Sequence, residues 1–373
     1  MKIAVITPHL DLGKGGAEET AHHITSALAE NYEVTHFIHV KRSDNLLEER
    51  FGIPNPDEYE TEIIEKPFYY DFMKNSNRLM RAFMVNRSRI FFKMYWKIRD
   101  KYDKVFFTNE VLDHSQYYSS QEEFRSTNED VIMYHHHPTF DCEMIMERSL
   151  YVRMFNGLGE VKNLDADKNV FNSRYSCDMP DGEIIHPPVE EDFEFNQTEE
   201  NVGVIVGRIT PGKKFEEAVR ICDKSRNIEK LHIIGFVEEK SYLREIKDLA
   251  NSADISVEFH TGPDPKSQSG SNRRTIKKIL RESKIGFSCR KETFGIVTAE
   301  YMKSGVIPFV KDKGANRELV EKKFLRYSRV EEGASKLDTL IEEREDEAYD
   351  YIKDEKARFG REKFRKEIKS LID

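Results

Sequence analysis

The chain has little cysteine and no paired cysteine motif: its four cysteines, at 142, 177, 222 and 289, are far apart and none stands in a CxxC spacing. That distribution argues against a disulfide framework and for a reduced, cytoplasmic setting. Long apolar runs are missing too, so no membrane-spanning helix is expected. The start, MKIAVITPHL, reads as a strand without a cleavage site, so no secretory leader is expected. Without one, the N-x-S/T sequons at Asn86 and Asn196 carry little weight. Basic charge is not in excess: the formal net charge is −9, which argues against a general nucleic-acid binder. What is present is charge and alternation. With 373 residues, 34% of them charged and 38% hydrophobic, the chain reads as soluble and long enough for two domains.

The alternation is that of an α/β protein. KIAVIT, the segment GGAEETAHHITSALAE and YEVTHFIHV read as strand, glycine turn with helix, and strand, a mononucleotide-binding opening. Further strands are expected at KVFFTN, DVIMYHH, NVFNS and GEIIHPPV. A second series then begins with NVGVIVGRI, the helix KFEEAVRICDKS, KLHIIGF, a charged helix and ISVEFHTG. It closes with KIGFS, the helix GIVTAEYMKS stopped by Gly305, and VIPFV. Pro187–Pro188 and the acidic run 190–200 mark the boundary between two similar domains, 1–188 and 189–345. In the charge-rich tail, Phe364, Ile368 and Leu371 fall at i, i+4 and i+7, so 346–373 is expected to dock an apolar face on the N-terminal domain.

Residues 66–101 depart from the acidic whole, with ten Lys/Arg against two acids, interleaved with Phe68, Tyr69, Phe72, Phe83, Phe91, Phe92, Tyr95 and Trp96. A basic, aromatic helix of this kind suits an anionic membrane surface, which would make the protein peripheral on the cytoplasmic face. The alternative is a helix whose aromatics join the core.

Several fragments carry candidate chemistry. Gly13, Gly15 and Gly16 precede a helix, where backbone N–H groups and the helix dipole suit a phosphate or sugar. The second strand ends FIHVKR without the acid that a dinucleotide ribose wants, which argues against NAD. Arg208 and Lys213, in VGRITPGKK, lie in a strand-to-helix loop and suit a diphosphate, unless they are simply solvated cations. In YHHHPTF neighbouring side chains diverge, so a single imidazole is more credible than a metal site. DAD at 165–167 follows no strong strand and reads as a solvated turn. Glu292 and Glu300 have seven residues between them, one before a helix and one two turns into it. Alone, they could equally be surface acids.

Taken in order, these fragments resemble the retaining family-4 glycosyltransferases, which have the GT-B fold. The resemblance rests on the glycine turn, the YxHxP segment (Tyr134, His136, Pro138), NSRY at 172–175 and HPPV at 186–189. It continues with Gly207–Arg208, Lys213–Lys214, and the E-x7-E unit followed by KSGVIPFVKDKGANRELV, whose GANRE departs from the usual glycine-pair and proline version. It implies an α/β GT-B architecture, two Rossmann-like domains facing across a cleft. It also implies a hexosyltransferase that needs neither metal nor cofactor, the UDP- or GDP-linked nucleotide-sugar being a substrate. Arg208 and Lys213 would then hold the diphosphate, Glu300 the ribose and Glu292 the sugar hydroxyls. Backbone around Phe294, Gly295 and Ile296 would face sugar or phosphate, with Gly15 and Gly16 across the cleft and His136 beside the sugar. In that family the donor's own phosphate is thought to take the acceptor proton. Expected partners are the nucleotide-sugar, a lipid-linked sugar, glycolipid or polysaccharide acceptor, and the anionic membrane through 66–101. A nucleotide-sugar isomerase of the 2-epimerase type, a phosphorylase, or a non-catalytic membrane-surface scaffold are the alternatives.

Overall fold

The computed structural model describes residues 1–7, 16–38, 59–64, 90–111, 130–138, 164–189, 193–262 and 271–373. It divides into two compact units, Met1–Pro187 with Phe364–Asp373, and Pro188–Lys363.

The first unit is built on β1 (Lys2–Ile6), β2 (Glu33–Ile38), β3 (Glu60–Ile63), β4 (Lys104–Phe107), β5 (Asp130–His135), β6 (Lys168–Phe171) and β7 (Glu183–Ile184). They lie in the order β3-β2-β1-β4-β5-β6-β7, and every pairing is parallel. A parallel sheet is covered on both faces, and β1 shows why KIAVI is nearly all apolar. Successive side chains alternate between faces. Ile3 and Val5 join Ile24, Ala27 and Leu28 of α1 (Gly16–Ala29), whereas Ala4 and Ile6 join Phe91, Phe92, Tyr95 and Phe107 on the other side.

That second cluster bears on the membrane expectation. In the helical stretch 90–98, Phe91, Phe92, Tyr95 and Ile98 are buried in the core while Lys93 and Lys97 are exposed. Trp96 stacks on Phe92 and carries the Arg99 guanidinium 3.4 Å above its ring. These rings, read from sequence as lipid-facing, are therefore the inward face of an amphipathic helix. Residues 66–89 of the same basic stretch lie outside the described residues.

The C-terminal segment returns to this unit as α9 (Arg361–Ser370). Phe364, Ile368, Leu371 and Ile372 enter the cluster of Ile3, Val5 and Ile24, and Arg365 pairs with Glu30 at 2.7 Å. The return begins at Phe364 rather than at 346. The preceding helix α8 (Glu345–Glu355) is held in the second unit by Lys284, almost fully buried and 2.8 Å from Glu345, and by Tyr351, whose hydroxyl donates to Leu319 O.

The second unit repeats the plan. Its strands β8 (Val202–Val206), β9 (Lys230–Phe236), β10 (Ser256–Gly262), β11 (Ile285–Ser288), β12 (Ile307–Lys311) and β13 (Arg326–Tyr327) take the order β10-β9-β8-β11-β12-β13, again all parallel. The helices are α2 (Phe215–Lys224), α3 (Lys240–Asn251), α4 (Ser271–Arg281), α5 (Ile296–Ser304), α6 (Asn316–Leu319) and α7 (Val330–Glu343). α2 shows the local logic: Phe215, Ala218, Val219, Ile221 and Cys222 form its buried stripe, and Glu216 and Glu217 occupy the first turn, where the helix dipole favours acids. Cys177, Cys222 and Cys289 are free thiols. Among the described residues, no helix is long and apolar enough to cross a membrane.

Candidate active site

In open α/β sheets, ligands bind beyond the carboxyl ends of the strands where the strand order reverses. In the second unit that point lies between β8 and β11, which pair in register from Ile285 opposite Gly203 to Phe287 opposite Ile205. The loops that leave these two strands carry most of the residues singled out from sequence.

The loop after β8 runs through Gly207 and Arg208 into the single 3-10 turn Pro211–Lys213. Lys214 then takes a left-handed conformation, φ 58°, before α2 begins. A lysine rarely adopts that conformation, so the turn is held by its surroundings rather than by local preference. Gly235 in β9 makes the approach of this loop possible: a Cβ there would lie 1.7 Å from the Gly207 carbonyl oxygen. The amide of Gly207 in turn donates to Ile234 O at 3.0 Å.

The loop after β11 presents Glu292. Its carbonyl accepts from Ala315 N at 2.9 Å, and Glu292 forms a parallel bridge with Gly314, so the GANRE segment supports its backbone. Asn316, fully buried, donates through Nδ2 to Arg290 O at 2.8 Å and Lys311 O at 3.0 Å, stitching the two loops together. Gly295 precedes α5 with φ +100°, which L side chains rarely adopt. Its turn folds back toward Glu292, whose Cβ would lie 3.5 Å from a Cβ built on Gly295. The first N–H groups of a helix have no intrahelical acceptor, so the start of α5 at Ile296 offers donors to an anion beside Glu292.

Across the reversal point Lys213 Nζ donates to Glu292 Oε1 at 2.9 Å, with the two side chains only 21% and 15% exposed. Arg290 Nε lies 3.5 Å from the same oxygen. One carboxylate thus faces two cations at the mouth of a helix. Arg208 shares the loop with Lys213, but its guanidinium reaches Glu238 Oε2 at 3.2 Å in a half-exposed pair. Phe294 turns its ring into the protein, 5.8 Å from that of Phe359, leaving its backbone rather than its side chain for a ligand. Glu300 lies half-buried in α5, where its carbonyl accepts from Ser304 Oγ at 2.8 Å. Sequence reasoning missed Arg290, Glu238, Asn316 and the support from Gly314. Arg290, two residues before Glu292, was the one with a visible signal.

In the first unit the order reverses between β1 and β4. Gly16 starts α1, and its carbonyl accepts from Thr20 Oγ1 at 2.7 Å, whereas Gly15 lies outside the described residues. His136 follows β5 and is 6% exposed. Its Nε2 donates to Thr108 O at 3.1 Å, which leaves Nδ1 as the acceptor of the neutral ring. Burial drives its pKa down to about 4, only partly countered by Glu110. At neutral pH it is therefore an uncharged imidazole. Glu110 Oε1 accepts from the amides of both His136 and His137, at 2.7 and 2.8 Å. Burial opposes its ionisation, but the neighbouring imidazoles and hydrogen bonds outweigh that and hold its pKa low. His135 points elsewhere, stacking on Phe171 with Nε2 at 2.8 Å from Asn169 Oδ1. The histidine run is thus a backbone clamp with diverging rings. Asp167 of the DAD triplet accepts from Val131 N at 2.7 Å and ties β5 at its start.

Residues 189–358, most of the second unit, match the family model of glycosyl transferases group 1. The chain is similar in structure to HepE from Anabaena in complex with UDP, with TM-score 0.67, 14% identity, and coverage of 100% of this chain and 99% of that one. It is also similar to a TarM mutant of S. aureus in complex with fondaparinux, alpha-GlcNAc-glycerol and UDP, with TM-score 0.62, 12% identity and coverage of 100% and 99%. A third is WaaG, a glycosyltransferase involved in lipopolysaccharide biosynthesis, with TM-score 0.60, 11% identity and coverage of 95% and 94%. No curated protein sequence matches the chain. The fold is that of the GT-B glycosyltransferases.

Proposed function

We propose that a chain whose second unit matches group 1 glycosyl transferases over residues 189–358 is a nucleotide-sugar-dependent glycosyltransferase. The observation that carries this reading is the Lys213–Glu292 pair at the reversal point, set before the N-terminus of α5. A nucleoside diphosphate leaving a sugar gathers negative charge on its β-phosphate. Lys213, Arg208 and the first amides of α5 are positive groups that would stabilise such charge without a metal, and electrostatic stabilisation of this kind dominates many rate enhancements. Glu292, held by its backbone to Gly314, positions the hydroxyls of the donor sugar and with them the anomeric carbon. Glu300, one turn into α5, takes the ribose.

The finer reading is a hexose transferred with retention of configuration to a lipid-linked sugar, glycolipid or polysaccharide. Neither glutamate serves as a nucleophile, unlike the carboxylate pair of retaining glycosidases. On this reading His136, an uncharged imidazole at pH 7, would act by hydrogen bonding rather than by charge. Peripheral membrane association would draw on the exposed Lys93 and Lys97, because Phe91, Phe92, Tyr95 and Ile98 are core.

The test is a screen of UDP- and GDP-sugars for a rise in melting temperature, followed by assay of free nucleoside diphosphate with and without acceptor. Stabilisation by one donor, with diphosphate released only when acceptor is supplied, is expected. Release from donor alone would point to an isomerase or hydrolase, and absence of nucleotide binding would overturn the enzymatic reading. Retention of the protein on anionic liposomes at low salt checks the membrane part, and its absence would leave 66–101 as core or acceptor site instead.

A further inference from the structure

On the far side of β8 from the proposed donor site, three metal-competent side chains converge on the outer strand pair. In the register of β9 and β10, His232 stands opposite Glu258, and His260 follows two residues later on the same face. Ile234, two residues after His232, packs with Ile279 and Leu280, so this is the face covered by α4. His232 Nδ1 lies 3.0 Å from His260 Nε2, and Glu258 Oε2 lies 3.4 Å from the first and 3.8 Å from the second. His232 is 4% exposed, while His260 and Glu258 are reachable from solvent. Among the described residues, this is the group of His, Cys, Asp or Glu whose ligand atoms come together closely enough to hold a metal ion.

The arrangement has more acceptors than protons. Two imidazole nitrogens at hydrogen-bond distance require one N–H to donate to the other's lone pair, yet a carboxylate oxygen faces both. In the tautomers that turn their lone pairs inward, three lone-pair atoms converge on one point, which a cation would occupy. The spacing agrees with this. Ligand atoms about 2.0–2.1 Å from a tetrahedral ion lie about 3.3 Å from one another, and the three observed separations bracket that value. Glu258 Oε1 is 3.1 Å from Lys230 Nζ, a partner that orients the carboxylate and leaves Oε2 for the centre. Glu282, just past α4, adds negative charge near His232.

We propose that His232, Glu258 and His260 bind one divalent transition metal of the zinc class, clipping the edge strand β10 to β9. Two imidazoles and one carboxylate suit zinc better than magnesium or calcium, which prefer all-oxygen sites. The role is structural, since the cluster lies two strands from the β8–β11 reversal point. This site does not depend on the transferase reading.

The test uses the full chain and the metals alone. Titration with Co2+ should give one equivalent with the visible absorption of a four- or five-coordinate N/O site, displaced by Zn2+. Zn2+ should also slow amide exchange in 256–262. His260→Ala, at a half-exposed position, and Glu258→Gln should each weaken Co2+ binding by at least about tenfold, with melting temperatures unchanged in chelator. Absence of Co2+ uptake, or uptake undiminished in both variants and hence held elsewhere, would overturn the proposal.

Discussion

If Lys213 is to grip a diphosphate, it must exchange its present partner for it, and that exchange has a measurable sign. In the free protein its ammonium is 2.9 Å from Glu292 Oε1, with both side chains mostly shielded. An ion pair in this partly exposed setting contributes about 1 kcal/mol. The isosteric Glu292→Gln removes that competitor, so the variant should bind free UDP or GDP about fivefold more tightly than wild type. The nucleotide-sugar should respond in the opposite direction. It gains the same freed cation but loses a charged hydrogen bond to the sugar hydroxyls, worth about 1.5–3 kcal/mol. Net weakening of about two- to thirtyfold follows. Calorimetric titration of wild type and variant with diphosphate and with donor reads both signs in one experiment, and thermal unfolding checks that the variant is folded. If a folded Glu292→Gln protein bound the free diphosphate no more tightly than wild type, Glu292 and the phosphate would not be competing for Lys213, and the assignment of Lys213 would fail.

Arg208→Ala should lower turnover by at least about tenfold, the scale of a lost charge-stabilising group, while its half-exposed pair with Glu238 makes the change in melting temperature small; unchanged turnover would remove Arg208 from the reaction. Gly235→Ala drives a methyl into the Gly207 carbonyl, which a Cβ would meet at 1.7 Å. Denaturant unfolding should show a loss of about 1–3 kcal/mol, with weakened donor binding as the Arg208–Lys213 loop is pushed away. The depressed pKa of His136, about 4 against an ordinary 6.5, means that unfolding takes up a proton between these values. Its contribution is complete above pH 6.5 and is lost as pH falls toward 4, by up to about 3 kcal/mol. His136→Gln should flatten the pH dependence of unfolding free energy in that window, and a slope identical to wild type would show that the ring is not held neutral by burial.

Long apolar strands were legible because parallel strands covered on both faces must be mostly apolar, as VGVIV is throughout and KIAVI and KLHIIGF are apart from Lys2, Lys230 and His232. β3, with the sequence ETEI, and the two-residue β13 were not legible. Each lies at the end of a sheet, where one neighbour and partial burial suffice, so composition bears no mark of a strand. The aromatic stretch 66–101 shows the converse limit. Basic residues interleaved with rings describe a lipid-facing helix and a core-facing one equally well, and only the packing of Phe91, Phe92 and Tyr95 against β4 and its neighbours separates them. At the candidate site the loops were readable from strand-to-helix spacing, but their partners were not. Lys213 meets Glu292 because β8 and β11 are adjacent, and Arg208 meets Glu238 because β9 lies on the other side. Both contacts are consequences of strand order, which no local window of sequence contains. His232 and the Glu258–His260 pair are likewise brought together only by the parallel register of β9 and β10.

The arrangement around Glu292 also explains how a carboxylate can be kept ready in the free protein without being locked. A shielded carboxylate deprived of its only counter-ion is strongly destabilised, so a single Lys213–Glu292 pair would resist the release of Lys213 to a phosphate. Here Arg290 stands 3.5 Å from the same oxygen, so the charge stays compensated when Lys213 swings away. The backbone of Glu292 does not have to move either, because its carbonyl is fixed by Ala315 N and its strand-like bridge to Gly314. One cation is therefore exchangeable and the other is resident. On the proposed reading, a loop built this way keeps the carboxylate of Glu292 oriented before a donor arrives, and gives up only the modest energy of exchanging one ion pair when it does.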